Sequence, residues 1–172
     1  MLSEFLFVIN DAPNSMMSRE LCIFLAQNNV FNDNNNLFVN AKQRFEHIQY
    51  NNAIEAALKT RYDKFVFCDS DIRPHMDLLM DFFQSDSDVV GARYEANNVN
   101  AWANPEIIHC GFWRTSRKVL EEIGKPYFKW VFNEDQTKVE KCLCTDFCLR
   151  ATALGFTVSQ SGYVMHDEKL GH

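Results

Sequence analysis

The sequence predicts an α/β fold in which a mostly parallel central sheet is flanked by helices. Short apolar runs alternate with segments of helical periodicity over the first half of the chain, a pattern typical of parallel strands joined by crossover helices. At 172 residues and 47% hydrophobic, the chain can bury a sizeable core, and its 15 phenylalanines predict a Phe-rich interior. Because the sequence shows no internal repeat and no dividing linker, we expect a single domain over residues 1–172.

Four apolar runs in the N-terminal half are interpreted as strands, at residues 5–9, 37–39, 64–68 and 88–92. Helices are expected between them. Ser15 or Ser18 can cap the first helix, and apolar residues recur at helical spacing between residues 50 and 58 in the second. Pro74 is expected at the start of the third helix, where its missing N–H group costs nothing.

The C-terminal half has a looser pattern. Residues 94–105 and 125–141 show no periodicity and are expected to be irregular, whereas residues 106–113 resemble a strand. Ser116 is expected to cap a helix that stops at Gly124, a residue suited to a left-handed helix end.

The last elements are another helix and two short strands. Thr145 is expected to cap the helix, which ends at Gly155. The strands are expected at residues 156–159 and 163–165, so that His166 follows directly after the second.

Charge and hydropathy narrow the classes of partner. The formal net charge of −6 argues against a general nucleic-acid binder, and an anionic substrate would need local help from a metal or a few basic side chains. No apolar run approaches the ~20 residues of a transmembrane segment. Residues 1–10 are typical of a strand and not of a signal peptide, so we expect a cytoplasmic protein.

Six cysteines raise the question of a metal site or disulfides. The spacing of Cys142, Cys144 and Cys148 does not match the paired Cys-x-x-Cys pattern of structural zinc sites. Without a secretion signal, reduced thiols are the favoured interpretation.

Two carboxylates, Asp69 and Asp71, follow the apolar run at residues 64–68. In an extended segment, side chains two positions apart point the same way, so both carboxylates can converge on one ion. Hard oxygen ligands of this kind suit Mg²⁺ or Mn²⁺, which neutralise phosphates. Their place at the carboxyl end of a strand, where open α/β sheets bind ligands, strengthens this interpretation over an ordinary acidic turn.

Four segments in order resemble the GT-A glycosyltransferases, especially the family-2-like enzymes of the nucleotide-diphospho-sugar transferase superfamily. The segments are YDKFVFCDSDIRPHMDLLMDFF, IIHCGFWRTSRKVLEEIGKPYF, TDFCLRATALGF and YVMH. They resemble, respectively, the central DxD motif, the part under the sugar site, the acidic acceptor-site helix, and a strand whose terminal His completes a metal site. The resemblance covers about two-thirds of the chain and implies a GT-A-like fold.

The resemblance also implies roles for individual residues. Asp69, Asp71 and His166 would hold Mn²⁺ or Mg²⁺, which binds the diphosphate of a UDP- or GDP-sugar donor. Asp146 would be the general base that takes a proton from the acceptor hydroxyl. The residues assigned to the donor are Asp11, Asn52, Asp69 and Gly111.

The chain departs from the family pattern in two places. An Ala-Arg-Asn-like turn facing the donor is replaced here by Tyr50-Asn51-Asn52, so the Arg is missing, and the usual Glu before the base is Thr145. The acceptor, whether a saccharide, a lipid-linked sugar or a protein, is therefore left open. A partner subunit that completes the acceptor site is one possibility.

Two alternatives stand beside the transferase. One is a catalytically degenerate domain that binds a nucleotide-sugar or a partner, for which the missing Arg is the main argument. The other is a sugar nucleotidyltransferase on a similar sheet. It ranks lower because INDAPNSMMSRE, after the first strand, is neither Gly-rich nor basic enough to cradle phosphates.

Overall fold

The structure is a computed structural model that describes residues 2–10, 17–28, 30, 37–40, 46–94 and 104–166. Within these residues, a seven-stranded sheet is accompanied by a separate two-stranded hairpin. The strands are β1 (Phe5–Asn10), β2 (Leu37–Asn40), β3 (Lys64–Asp69), β4 (Ile72–Pro74), β5 (Val89–Tyr94), β6 (Phe112–Ser116), β7 (Val131–Phe132), β8 (Val139–Lys141) and β9 (Val158–His166). The helices are α1 (Arg19–Gln27), α2 (Glu46–Leu58), α3 (Met76–Gln84), α4 (Arg117–Ile123) and α5 (Leu143–Ala153), and a 3-10 turn (Leu2–Glu4) precedes β1.

The seven-stranded sheet has the order β2-β1-β3-β6-β5-β9-β4. Strand β1 runs parallel to both β2 and β3, and β5 runs parallel to β9. Strands β6 and β4 run antiparallel to their neighbours, so five of the seven strands described in this sheet share one direction. Helices α1 and α2 connect the parallel strands β1, β2 and β3. The predicted mostly parallel α/β sheet is therefore confirmed.

Both faces of the sheet are buried, which explains why the strands are continuously apolar instead of alternating. Leu6, Val8 and Phe67 belong to a core that α2, α4 and α5 cover. Phe7 and Val66 point to the other side, into a core that α1 and α3 cover. Phenylalanines recur throughout both cores, as the composition predicted.

Two of the predicted helix caps are confirmed. The Ser18 hydroxyl accepts a hydrogen bond from the Leu21 amide at 3.0 Å, so Ser18 caps α1. The Ser116 hydroxyl accepts from the Val119 amide at 3.4 Å, and α4 ends at Gly124 with φ of 66°, a left-handed conformation that favours glycine.

Two boundary predictions around the site are wrong. Pro74 does not begin a helix: it ends β4, an edge strand where a missing N–H group is tolerated, and α3 starts two residues later at Met76. The strand expected at residues 106–113 begins only at Phe112, and residues 104–111 form turns and irregular backbone.

Three predictions in the C-terminal half also need correction. The stretch 125–141 contains the hairpin β7–β8, whose mostly exposed side chains leave no burial pattern in the sequence. Helix α5 begins at Leu143 after Cys142, so Thr145 is inside its first turn. The two short strands are one strand, β9, which is irregular in its register with β5.

The described helices are short. The longest, α2, has 13 residues. None of the helices among the described residues has both the length and the apolar character needed to cross a membrane.

Candidate functional site

Asp69 is the last residue of β3, and Asp71 lies in the short turn that joins β3 to β4, at the carboxyl ends of the parallel strands β1 and β3. Ser70 and Asp71 adopt turn geometry, so the two carboxylates do not converge through an extended strand as predicted. They are nevertheless close enough to interact, since Asp71 raises the pKa of Asp69. Asp71 is buried and Asp69 is partly buried.

Backbone hydrogen bonds from neighbouring strands and loops fix this turn. The Asp69 amide donates to the Gly111 carbonyl at 2.8 Å, and the Ser70 amide donates to the Asn10 carbonyl at 2.9 Å. Asn10 is the last residue of β1 and is in register with Asp69. The turn is thereby tied to the strands on either side of β3, namely β1 and the segment that leads into β6.

Ser18 holds the same turn from the α1 side. Its amide donates to the Ser70 carbonyl at 2.7 Å, and its hydroxyl donates to the Ile72 carbonyl at 2.5 Å. Because this hydroxyl also caps α1, one side chain joins the start of the helix to the turn. The sequence identifies Ser18 as a cap, but its contact with a turn 54 residues away depends on the tertiary structure.

The environment of Asp69 favours a cation. Burial is the largest cause that raises its pKa, to about 7, and the neighbouring Asp71 carboxylate is the second. Hydrogen bonds from Tyr50 and Asn10 oppose this rise, and the Tyr50 hydroxyl lies 3.1 and 3.3 Å from the two carboxylate oxygens. Two neighbouring carboxylates, one of which has its pKa raised by burial and by the other, form a site that a divalent cation would relieve.

Gly111 leaves room for a tyrosine hydroxyl beside the carboxylates. A Cβ atom at position 111 would lie 1.9 Å from the Tyr94 hydroxyl oxygen and 3.2 Å from Asp69 Oδ2. A larger residue here would force the Tyr94 side chain to move. Gly111 thus borders the carboxylate site, where the resemblance implied a donor contact.

The backbone of His166 also reaches this turn. Strand β9 pairs antiparallel with β4 so that His166 is opposite Ile72, the residue after Asp71. Directly opposed residues have Cα atoms about 4.5–5.5 Å apart. The His166 side chain is outside the described part of the structure, as are Asp11 and His172. Among the described side chains, no group of three or more His, Cys, Asp or Glu residues is arranged to hold a metal ion.

The residue that links α2 to the carboxylates is Tyr50, whereas Asn52 is exposed on that helix. Between them, Asn51 is bound to the segment before the hairpin: its amide oxygen accepts from the Tyr127 and Phe128 amides at 2.7 and 3.1 Å, and its nitrogen donates to the Phe128 carbonyl at 2.8 Å. In the segment that departs from the family pattern, Tyr50 thus contacts Asp69 and Asn51 binds the backbone at Tyr127 and Phe128. The sequence did not reveal either contact.

Asp146 is in the first turn of α5 and is buried. Its Oδ2 accepts a hydrogen bond from Arg150 Nε at 2.8 Å, one helical turn later. Arg150 also donates to the Tyr127 carbonyl, which fixes the guanidinium group against the segment that Asn51 holds. The sequence places Asp146 near a helix start, and the structure adds a cation that orients its carboxylate.

Three arginines, Arg73, Arg93 and Arg114, have different surroundings. Arg114 donates to the carbonyls of Phe82 and Ser85 at the end of α3, so it is a helix-capping residue. Arg93 contacts the Tyr163 hydroxyl at 3.2 Å, and Arg73 is 3.8 Å from a Glu20 carboxylate oxygen.

The four aromatic residues between positions 127 and 132 divide into two pairs. Tyr127 and Phe128 are buried, and Phe128 packs on Phe147 of α5 with ring centroids 4.8 Å apart. Trp130 and Phe132 are exposed on the hairpin side. The first pair is core, and only the second can meet a ligand.

Comparison with protein-family models and with curated proteins gives no match for this sequence. Solved structures do match. A197 from STIV superposes with a TM-score of 0.60 at 17% identity, covering 94% of this chain and 80% of that one. S. aureus TarS 1-349 in complex with UDP-GlcNAc gives a TM-score of 0.50 at 11% identity, covering 95% of this chain and 59% of that one.

At such identities the superpositions show the fold alone. A nucleoside-diphosphate-sugar pyrophosphorylase from Vibrio cholerae RC9 also matches, at a TM-score of 0.48 and 12% identity over 94% of this chain and 72% of that one, but this likeness is too weak to argue from. The GT-A-like α/β fold predicted from the sequence agrees with the matches to A197 and TarS.

Proposed function

We propose that this protein is a metal-dependent glycosyltransferase that moves a sugar from a UDP- or GDP-sugar to an acceptor hydroxyl. The observation that carries the proposal is the β3–β4 turn, which is fixed by backbone hydrogen bonds and places Asp69 and Asp71 at the carboxyl ends of parallel strands. Ligands of open α/β sheets bind at this edge. The fold shared with TarS, which was solved with UDP-GlcNAc, supports a nucleotide-sugar donor of this kind.

Asp69, Asp71 and His166 are the residues that would hold Mn²⁺ or Mg²⁺. The residues present fit a hard cation, because burial and a second carboxylate raise the pKa of Asp69 and a positive charge would offset both causes. When bound, the ion would neutralise the donor diphosphate and stabilise the leaving nucleotide. Gly111 and Tyr94 border the same space and would position the donor beside the carboxylates.

Asp146 is proposed as the general base on the acceptor side. The acceptor hydroxyl must lose a proton as it attacks the anomeric carbon, and a fixed carboxylate can take it. The ion pair with Arg150 holds Asp146 in one orientation through Oδ2. Trp130 and Phe132, exposed beyond the fixed segment at Tyr127 and Phe128, are candidates for contact with the acceptor.

The first experiment measures donor binding with and without the metal. A thermal-shift panel of UDP-, GDP-, CMP- and dTDP-sugars should show stabilisation only when Mn²⁺ or Mg²⁺ is present, because the acidic site otherwise repels a diphosphate. A ligand at 100 times its dissociation constant should add about 2.7 kcal/mol of stability. Equal stabilisation in EDTA and in Mn²⁺ would contradict the metal-dependent site.

Substitution of Asp71 tests the same site directly. Asp71→Asn should lower metal-dependent nucleotide affinity by about 100-fold or more, since a buried charged ligand is lost. Asp77→Asn is the matched control, because Asp77 is an exposed carboxylate in the first turn of α3. Equal affinities of the two variants in calorimetry would remove Asp71 from the site.

Activity separates an enzyme from a degenerate nucleotide-sugar-binding domain. A transferase should slowly hydrolyse its donor in water when the metal is present, and the Asp71→Asn variant should not. Binding without any turnover of the donor, in water or with a panel of saccharide acceptors, would favour the binding domain.

A further inference from the structure

Four of the six cysteines gather where the loop before β6 meets the start of α5. They are Cys110, Cys142, Cys144 and Cys148. The two nearest sulfur atoms belong to Cys110 and Cys144 and are 2.9 Å apart. The spacing of Cys142, Cys144 and Cys148 does not match the paired pattern of structural zinc sites, so thiol chemistry is the favoured account of this cluster.

We propose that Cys110 and Cys144 form a reversible intrachain disulfide. An S–S bond is about 2.05 Å long, so the sulfur atoms need to close by only about 0.9 Å. Cys110 lies in the segment just before β6, and Cys144 is in the first turn of α5, so the bond would join two separate elements. The proposal concerns these thiols alone and does not depend on the transferase proposal.

The other two thiols are less suited to this bond. Cys148 Sγ accepts a hydrogen bond from the Ile108 amide at 3.3 Å, and Cys148 is fully buried in the core. Cys142 Sγ lies 3.1 Å from the Thr145 hydroxyl. A bond between Cys142 and Cys144 would close a ring over a single intervening residue, which forces the strained geometry that disulfides avoid.

Exposure sets the order of the exchange steps with a small-molecule disulfide such as oxidised glutathione. Cys144 is partly exposed and Cys110 is buried, so the Cys144 thiolate attacks first, forming a mixed disulfide and releasing one small thiolate. The Cys110 thiolate then attacks Cys144 Sγ and releases the second. The protein loses two protons and two electrons, and the small disulfide gains both as it becomes two thiols.

The reduced form should persist until an oxidant is supplied in excess. Burial raises the pKa of the Cys110 thiol, and the hydrogen bond with Cys110 raises that of Cys144. Thiolate is the attacking species, so its low population makes exchange slow at neutral pH.

The disulfide would join two parts of the molecule that border the carboxylates. Cys110 precedes Gly111, whose carbonyl accepts from the Asp69 amide, and Cys144 is two residues before Asp146. Oxidation would therefore fix the β3–β4 turn and the start of α5 relative to one another. Closing the loop over residues 110–144 should raise Tm by about 5–10 °C.

The experiment treats the full chain with excess oxidised glutathione, blocks the remaining thiols by alkylation, and maps the peptides by mass spectrometry. Free thiols should fall from six to four, with one cross-linked pair that joins Cys110 to Cys144. Dithiothreitol should restore all six thiols and the original Tm.

Single substitutions then identify the pair. Cys144→Ser and Cys110→Ala should each abolish the Tm difference between oxidised and reduced protein, whereas Cys142→Ser and Cys22→Ser should keep it. A cross-link that involves Cys142, a glutathione adduct that stays on Cys144, or six free thiols after full treatment would each overturn the proposal. Since the cross-link is read in the wild-type chain, a variant that fails to fold does not affect this result.

Discussion

Two carboxylate sites in this molecule contain the same type of side chain in opposite surroundings. Asp69 is next to a second carboxylate, and its stabilising hydrogen bonds come from the neutral groups of Tyr50 and Asn10. Asp146 is also buried, but its Oδ2 atom is paired with Arg150 Nε at 2.8 Å. The first site carries an excess of negative charge, whereas the second has its own cation.

This difference suggests that the two sites have different tasks. A pair of neighbouring carboxylates in which one pKa is raised can exchange a proton for a metal ion, so it suits the binding of a charged ligand. A carboxylate fixed by an arginine keeps one orientation, so it suits a positioned reaction. The expected results below test this division, from the largest effect to the smallest.

The largest expected effect is on transfer to an acceptor. Asp146→Asn keeps the size of the side chain but cannot take up a proton usefully, so the transfer rate should fall by about 100-fold or more. Donor and metal affinity should stay nearly unchanged, because the base acts mainly in the transition state. Asp135→Asn, in the exposed turn of the hairpin, is the control. A loss of donor binding together with transfer would instead assign Asp146 to the fold or the donor site.

Removal of Arg150 should lower the free energy of unfolding more than the loss of an exposed ion pair does. Arg150→Gln leaves a carboxylate that is 10% exposed without its cation, so the free energy of unfolding should drop by about 2–3 kcal/mol. Glu121→Gln breaks the Arg117–Glu121 pair, which has the same i,i+4 spacing but a glutamate that is 56% exposed, and should cost less than about 0.5 kcal/mol. Urea unfolding of both variants measures the contrast, and equal losses would contradict it.

The space beside the first site provides a steric test. Gly111→Ala places a Cβ atom 1.9 Å from the Tyr94 hydroxyl oxygen, so the variant should lose about 1–3 kcal/mol of stability. Adding Tyr94→Phe removes the clashing oxygen and should restore part of the loss. If the double variant is no more stable than Gly111→Ala, the clash is not the cause.

Metal-free stability should depend on pH through Asp69. The pKa of Asp69 is raised from 3.8 to about 7 in the folded protein. Between pH 3.8 and about pH 7, the folded state therefore keeps a proton that the unfolded state has released. The stabilisation is complete below pH 3.8 and is lost as pH rises through about 7.

In EDTA, the stability of the wild type relative to Asp69→Asn should therefore fall by on the order of 1–2 kcal/mol from pH 5 to pH 8. Urea unfolding at the two pH values measures this difference, and Mn²⁺ should reverse the fall at pH 8. A difference that does not change with pH would mean that Asp69 is ionised over the whole range.

The smallest effect should come from Tyr50. Its hydroxyl is one of the two groups whose hydrogen bonds lower the pKa of Asp69. Tyr50→Phe should therefore move the midpoint of this pH dependence upward, by less than one pH unit for a single hydrogen bond. Tyr62→Phe is a suitable control because Tyr62, like Tyr50, is partly buried against the same hydrophobic core. A downward shift would show that the hydroxyl does not support the carboxylate.

Much of the fold follows from local pattern. The runs at residues 5–9, 64–68 and 88–92 are strands because several consecutive apolar side chains are stable only in a sheet buried on both faces. Where side chains are mostly exposed, as in the hairpin β7–β8, no such pattern exists, and the sequence predicts irregular structure. Pro74 was misplaced because an edge strand and a helix start tolerate a missing N–H group equally well.

For the candidate site, the sequence by itself determined that Asp69 and Asp71 follow a buried strand and that Asp146 starts a helix. Only the tertiary structure decided that Ser18, Asn10 and Gly111 hold the turn, or that Arg150, which helical spacing already places beside Asp146, also donates to the Tyr127 carbonyl. The physical reason is the sequence separation of the residues in contact. Periodicity in the sequence indicates which face of an element is buried, and this is a local property. Contacts between distant segments depend on the order of strands in the sheet, and that order places His166 opposite Ile72 across 94 residues of chain.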